Sequence, residues 1–385
     1  MPADLTPYLR LMAEKNASDL FFTVGAPPNI KIDGETAPLK EPLLKPETVR
    51  DLAYSILSEK QQKEFEATME MNLAIGMPRT GRYRVNVYRQ RGDVAFALRY
   101  ITSHIPSIDD LNLPPILRDL VMIPQGLVLV VGSTGSGKST TLAAMIDHRN
   151  SVKTGHILTV EEPIEYVHEH RKSMVDQREV GLDTMSYANA LKNAMREAPD
   201  VIMIGEIRDR ETTQAAISYA ETGHLCLSTL HANNANQTLD RIVNFFPDTA
   251  HHQLLVDLSL NLKAVISQRL LKGINRKRVP AVEILLNTAY VADLIAKGEI
   301  ALVREAMKQG MDHGMQTFDE SLYQLYASGR ISYAEAIEHA DSRTDLTLRV
   351  RLQGPQPGFA THHVGGSGAA TGMELEGMSG PDTPL

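Results

Sequence analysis

The chain has one cysteine, Cys226, in 385 residues, no tryptophan at all, and only 5% aromatic residues. A single thiol excludes an intramolecular disulfide and suits a reducing compartment. No apolar run approaches the roughly 20 residues needed to cross a bilayer. The opening stretch, "MPADLTPYLRLMAEKNASDL", carries Asp4 and Glu14 and reads as neither signal peptide nor anchor, so no direct membrane insertion is expected. Work at a membrane would go through a partner. Positive charge is not in excess either: 39 Lys and Arg stand against 47 Asp and Glu, a net charge of -8. That balance gives no electrostatic reason to expect a nucleic-acid partner.

What is present describes a globular protein, with 43% apolar and 22% charged residues. Its length exceeds what one core usually organises, so two domains are expected. Residues 1–101 read as a small α+β domain. "DLTPYLRLMAEKN" has helical spacing, "DLFFTVG" and "NIKIDGE" read as strands, and "KPETVRDLAYSILSEKQQKEFEAT" reads as one long amphipathic helix. "GRYRVNVYRQRGDVAFALRY" reads as a hairpin turning at Arg91-Gly92-Asp93. Alternation there sets Arg82, Arg84 and Asn86 on one face and Tyr83, Val85 and Val87 on the other. The proline-bearing stretch 102–120 reads as an interdomain linker.

From 121 to 345 the texture changes. "GLVLVVG", "HILTVEE", "DVIMIGEI" and "HLCLSTLH" are near-continuous apolar runs that end in polar residues, separated by stretches with helical spacing. Strands buried on both faces and joined by helices imply a parallel sheet of the α/β class. "LLVDLSLNLKAVISQRLLK" and the segments through about 340 read as further helices. Residues 346–385 read as a disordered tail; over 354–385, eight of 32 residues are glycine. His362 and His363 fall in that tail and are not read as a metal site.

"GSTGSGKST", 132–140, follows one of those strands and opens a helix, matching G-x-x-x-x-G-K-[ST] in the context that gives the motif its mechanism. Gly132, Ser133, Thr134, Gly135, Ser136 and Gly137 form a loop whose N–H groups turn toward phosphates. The new helix from Lys138 through Ser139 and Thr140 adds its positive end. Lys138 reaches the β/γ oxygens, and Ser139 contributes its hydroxyl to a Mg²⁺ ion. A nucleoside triphosphatase of this kind also needs carboxylates at the strand ends, one near Mg²⁺ and one for the attacking water. "ILTVEEPIEYVHEH", 157–170, offers Glu161, Glu162 and Glu165, and "DVIMIGEI" offers Glu206. "STLHANN" puts Thr229 and His231 on the same rim.

In order and spacing, "GSTGSGKSTTLAAM", "LTVEEPIEYVHE", "DVIMIGEIRDRET" and "AETGHLCLSTLHANNANQTLDRIVNFFP" resemble the secretion-type hexameric ATPases that drive type IV pili, most of all the twitching-motility, pilus-retraction (PilT/PilU) family. The resemblance covers about residues 1–340. It implies a PAS-like N-terminal domain, a RecA-like P-loop ATPase domain, and a ring of six subunits with ATP and Mg²⁺ between neighbours. It also implies an inner-membrane pilus platform protein as partner and a cytoplasmic place at the pilus base. By position, Glu165 corresponds to the catalytic base, Glu206 to the Walker B acid at Mg²⁺, and His224 and His231 to a histidine box. Arg84 and Arg99, 15 positions apart, correspond to N-domain arginines that reach a bound nucleotide. Glu161 and Glu162 become supporting positions, and His168 and His170 are expected in a solvated segment.

The family commonly has Asp where Glu162 stands, one methylene shorter. Two departures bear on the function: "AYVADLIA", 289–296, carries Val291 and Ala296 in place of two arginines of the main retraction motors, and the shorter relatives do not need the glycine-rich tail. Both indicate the accessory, PilU-like branch, working as a homo-hexamer or in a mixed assembly with a paralogous retraction ATPase. The competing reading is a nucleotide-dependent binding subunit that reinforces another hexamer with little hydrolysis. Pilus-extension and type II secretion ATPases commonly carry a tetracysteine zinc module, which one cysteine cannot build. A DNA motor would have to rely on "INRKRVP", 274–280, which a short exposed turn explains equally well.

Overall fold

The computed structural model describes residues 4–77, 81–102 and 104–354. The first part runs through α1 (Thr6–Glu14), β1 (Asp19–Phe22), β2 (Asn29–Ile32), β3 (Glu35–Pro38), α2 (Pro46–Tyr54), α3 (Glu59–Thr68), β4 (Glu70–Met77), β5 (Gly81–Gln90) and β6 (Asp93–Ile101). Its strands make one antiparallel sheet in the order β3-β2-β1-β6-β5-β4. The hairpin of β5 and β6 turns on Arg91 and Gly92, both at positive φ (52° and 88°), which matches the twist of the flanking strands. Tyr83, Val85 and Val87 are buried as the alternation requires.

The single long helix expected over 45–68 is two. α2 stops at Tyr54, and Ser58 starts α3 afresh by accepting the Gln61 N–H while Gln61 reaches back. That reciprocal cap was written in "SEKQ", a Ser followed three residues later by Gln.

The second part comprises α4 (Ile116–Met122), β7 (Gly126–Val131), α5 (Lys138–Val152), β8 (Gly155–Glu161), β9 (Ser173–Glu179), α6 (Tyr187–Ala194), β10 (Val201–Ile204), α7 (Arg210–Glu221), β11 (Leu225–Leu230), α8 (Ala235–Asn244), α9 (His251–Asn261), β12 (Leu262–Lys272), β13 (Arg278–Leu286), α10 (Ala289–Lys297), α11 (Val303–Gln309), α12 (Phe318–Ala327), α13 (Tyr333–Glu338) and α14 (Arg343–Gln353). The sheet order is β13-β12-β7-β11-β10-β8-β9, parallel except for β13 at its edge. Leu127, Leu129 and Val131 enter the core on one face of this sheet, while Val128 and Val130 enter the core on the other. Burial on both faces is why β7 reads as an unbroken apolar run.

Three sequence expectations change here. "LLVDLSLNLKAVISQRLLK" is helix only to Asn261; from Leu262 it is β12, whose interior is buried on both sides and therefore lacks the alternation that marks a strand. The stretch read as linker ends in α4, with Leu113, Leu117 and Leu120 buried in the second core. Helix α14 continues to Gln353 with Leu346 buried, so 346–353 is ordered helix rather than tail. Residues 355–385, including His362 and His363, lie outside the described residues.

Candidate active site

Strands β7, β8, β10 and β11 are parallel neighbours, so the loops that follow them gather at one sheet edge. A cavity of 630 Å³ opens there, lined by Gly135, Gly137, Lys138 and Ser139 on one side and by Glu161, Glu162, Glu165, Glu206, Thr229 and His231 around it. A second cavity, of 700 Å³, adjoins it and shares Gly137, Thr140, Leu270 and Arg278.

The P-loop is held in shape by its glycines. Gly137 sits at φ 95° immediately before α5, a conformation that L side chains rarely adopt. A Cβ on Gly132 would come within 2.4 Å of Ser136 Oγ and 2.5 Å of the Gln268 carbonyl. Gln268, on β12, also accepts from Thr141 at 2.7 Å, fastening the start of α5 to the neighbouring strand. Reading β12 as a helix hid this residue. Ser136 Oγ is buried and has no hydrogen-bond partner among the described residues. A loop kept open by absent Cβ atoms and backed by an unpartnered hydroxyl fits a phosphate group.

Lys138 is 9% exposed, and its Nζ donates to the carbonyls of Gly132 (3.0 Å) and Ser133 (3.1 Å). Burial lowers its pKa, and the Glu206 carboxylate opposes that shift. From Lys138 a line of polar contacts crosses the strand ends. Lys138 Nζ is 3.4 Å from His231 Nδ1, and His231 Nε2 is 3.2 Å from Glu206. Arg208 then donates to Glu206 from Nε at 2.8 Å and to Glu162 from Nη1 at 2.8 Å. Glu162 therefore has a salt-bridge partner at the site rather than an idle surface place. Arg208 was not singled out in the sequence, although it stands two residues after Glu206 at the same strand end.

Glu165 is exposed to the cavity and has no side-chain hydrogen bond among the described residues. Glu161 differs. It is buried, accepts from Thr159 (2.7 Å) and Gln177 (3.2 Å), and burial raises its pKa to about 6 against those hydrogen bonds. Tyr166 meets Thr140 hydroxyl to hydroxyl at 2.9 Å, tying the acidic loop to α5. Ser139 is exposed on the cavity wall, at the first turn of α5.

Several expected positions fall elsewhere. His224 precedes β11 and His231 follows it, so the strand separates them by about 20 Å at its rise per residue. His224 Nδ1 meets Thr222 and the Tyr219 carbonyl at the far edge of the sheet, and it does not join this cavity. Arg84 and Arg99 do not line it either. Arg84 donates to the Ile164 carbonyl at 3.2 Å, and Arg99 pairs with Asp19 at 2.8 Å with its side chain 64% exposed. His168, expected in a solvated segment, is 7% exposed and lines the cavity, and burial lowers its pKa to about 4. Its N–H donates to Gln177 of β9 at 2.8 Å, and β9, "SMVDQRE", has no apolar run to mark it as a strand. Arg278, from the basic run, begins β13 and also lines the cavity. Val291, one of the two missing-arginine positions, is fully buried on α10.

A model of the type II/IV secretion system protein family matches residues 107–341. The chain belongs to that family. The type IV pilus ATPase PilU of Pseudomonas aeruginosa is 52% identical over 345 residues, spanning 89% of this chain and 90% of PilU. The type IV pilus retraction ATPase PilT of the same organism is 42% identical over 337 residues, 88% of this chain and 98% of PilT. Among solved structures, the pilus retraction motor PilT with bound ADP superposes with a TM-score of 0.82 at 44% identity, covering 88% of this chain and 98% of that one. The Legionella pneumophila ATPase DotB gives 0.74 at 28% identity, covering 86% and 94%. These are nucleotide-binding ATPases, and the fold described above is theirs.

Behind the site, Glu283 on β13 is 3% exposed and accepts from the Ala235 N–H at the start of α8 (2.8 Å) and from Ser267 (2.8 Å). Burial raises its pKa to about 7, against those hydrogen bonds. The folded chain therefore holds a proton there that the unfolded chain, near 4.5, gives up. The associated stability is complete below about pH 4.5 and is lost as pH rises through about 7. Glu283→Gln keeps both acceptor bonds without a charge. It is expected to stabilise the fold at pH 8 by about 2–3 kcal/mol and to match the wild type at pH 4.5, read from thermal melts across that range.

Proposed function

We propose that this chain is an ATP-hydrolysing subunit of a hexameric motor for type IV pilus retraction, on the accessory side represented by PilU rather than the main motor represented by PilT. The observation that carries the reading is the gathering of Lys138, Ser139, Glu206, His231 and Glu165 around one cavity at the sheet edge. In this reading the P-loop N–H groups and Lys138 hold the phosphates of ATP, Lys138 exchanging its two carbonyl partners for β/γ oxygens. The adjoining cavity takes base and ribose. Ser139 and Glu206 hold Mg²⁺, which neutralises charge on the phosphate oxygens when bound. Glu165 accepts the proton of the attacking water, being the cavity carboxylate with neither an ion-pair partner nor a side-chain hydrogen bond among the described residues. His231, between Lys138 and Glu206, is placed to sense the γ-phosphate. Arg99, largely exposed, is available to a neighbouring subunit's nucleotide.

The ring would be homomeric or mixed with a paralogous retraction ATPase, set against an inner-membrane platform protein on the cytoplasmic side. No helix among the described residues is long and apolar enough to cross a membrane. The test is phosphate release from the purified protein with Mg-ATP, alone and with the paralogous retraction ATPase added. Release by the chain alone supports a self-sufficient motor, and release only with the paralogue supports the accessory role. Silence in both settings would replace this reading with a nucleotide-dependent binding subunit.

A further inference from the structure

Glu179 closes β9, directly opposite Glu161 in the β8–β9 register, and is 4% exposed. Its backbone is anchored on both sides: the N–H donates to Asp183 at 2.9 Å and the carbonyl accepts from Asp183 at 2.8 Å. Its carboxylate accepts the Ile164 N–H at 3.3 Å. From the N-terminal domain, Arg82 stands 3.8 Å and Arg84 3.9 Å from the same carboxylate. Arg84 also donates to the Ile164 carbonyl. Ile164 is therefore held at both of its peptide groups, and the second of these is the bond that leads into Glu165.

We infer that Glu179 is a positioning residue for Glu165, and that through it the N-terminal domain sets the placement of the base in its own subunit. The inference rests on Glu165 being that base. A buried carboxylate needs compensating charge, and the two arginines of β5 supply it from across the domain boundary. Both guanidinium Nε atoms are buried and lack a hydrogen-bond partner among the described residues. Each guanidinium stands about 0.6–0.7 Å outside direct hydrogen-bond reach of Glu179. A small movement of the N-terminal domain toward β9 would form those bonds and draw on the Ile164 peptides, whereas a movement away would leave Glu179 without its counter-charge. The two sheets are thus joined at the residue preceding the base, where a shift of an ångström matters to chemistry.

The test uses the full chain carrying Glu179→Ala, Glu179→Gln or Arg82→Gln. Glu179→Ala is expected to lower kcat for Mg-ATP by about 10–100-fold, with KM and the Kd for a fluorescent ADP held within about twofold. Hydrogen–deuterium exchange over 161–168 is expected to rise in the same variant. Glu179→Gln, which keeps an acceptor for the Ile164 N–H, restores most of the exchange protection but not the full rate. Arg82→Gln lowers kcat without loosening 161–168. Unchanged exchange in Glu179→Ala, an unchanged kcat, or ADP affinity lost in step with kcat would each overturn the inference. If Glu179→Ala does not fold, the glutamine variants decide, full activity in both counting against it. Glu165→Gln measured alongside separates the two ideas: if it keeps full kcat, the base assignment has failed and the exchange result alone judges the positioning.

Discussion

Glu165→Gln is expected to lower the rate of phosphate release by roughly 10²–10⁴-fold while leaving ADP affinity within a few-fold of the wild type. Glutamine preserves the size of the side chain and its exposure to the cavity, but cannot take up a proton. Since Glu165 has no side-chain hydrogen bond among the described residues, its replacement leaves no buried partner unsatisfied, and the fold should be unaffected. The other acidic groups at the cavity are already engaged: Glu206 with Arg208 and His231, Glu162 with Arg208, Glu161 with Thr159 and Gln177. Single-turnover phosphate release beside an ADP titration makes the measurement. A variant that hydrolyses ATP at the wild-type rate would move the base to one of those engaged carboxylates, Glu206 first.

Lys138→Ala is expected to abolish measurable ATP turnover and to weaken nucleotide binding by about 10–100-fold. A charge-assisted phosphate contact of this kind contributes on the order of 1.5–3 kcal/mol. The lysine is nearly buried and donates to two loop carbonyls, so the variant also leaves Gly132 and Ser133 without those donors. Part of the binding loss would then come from a loosened loop rather than from the missing charge. Lys138→Arg separates the two, because the charge remains while the larger, planar head no longer fits the cradle formed by Gly132 and Gly137. An arginine variant that binds like the wild type would argue that charge alone sets the affinity. Both contributions are read by fluorescent-ADP titration, with thermal melting as the check on folding.

The loop that joins β7 to α5 was legible in the sequence, because the spacing of its residues is local. The P-loop needs glycine where the backbone turns left-handed at Gly137 and where Gln268 and Ser136 approach Gly132. Those requirements leave a written pattern. The apolar runs ending in Glu161, Glu206 and His231 marked strands whose loops must meet at one edge, since parallel neighbours end on the same side. The reciprocal cap at Ser58 was equally local, but the long helical period around it concealed it.

What failed to be legible depended on partners distant in the chain. β12 is apolar on both faces, and nothing in its own residues distinguishes a central strand from a buried helix; β7 on one side and β13 on the other decide it. His168 was expected in a solvated segment, yet it is buried, its N–H donating to Gln177 of β9. His224 and His231 look like a pair in the sequence, but β11 is extended and sets them at opposite edges of the sheet. Arg84 was expected to reach a bound nucleotide, but β5 lies against the end of β9, where Arg84 meets Glu179 and the peptide before Glu165. The sequence by itself determined the phosphate cradle, the carboxylates and the class of fold, because each depends on residues a few positions apart. Only the tertiary structure decided which carboxylate remains unpaired, which histidine reaches the site and which domain meets the peptide before Glu165, because burial and pairing are properties of elements brought together across the chain.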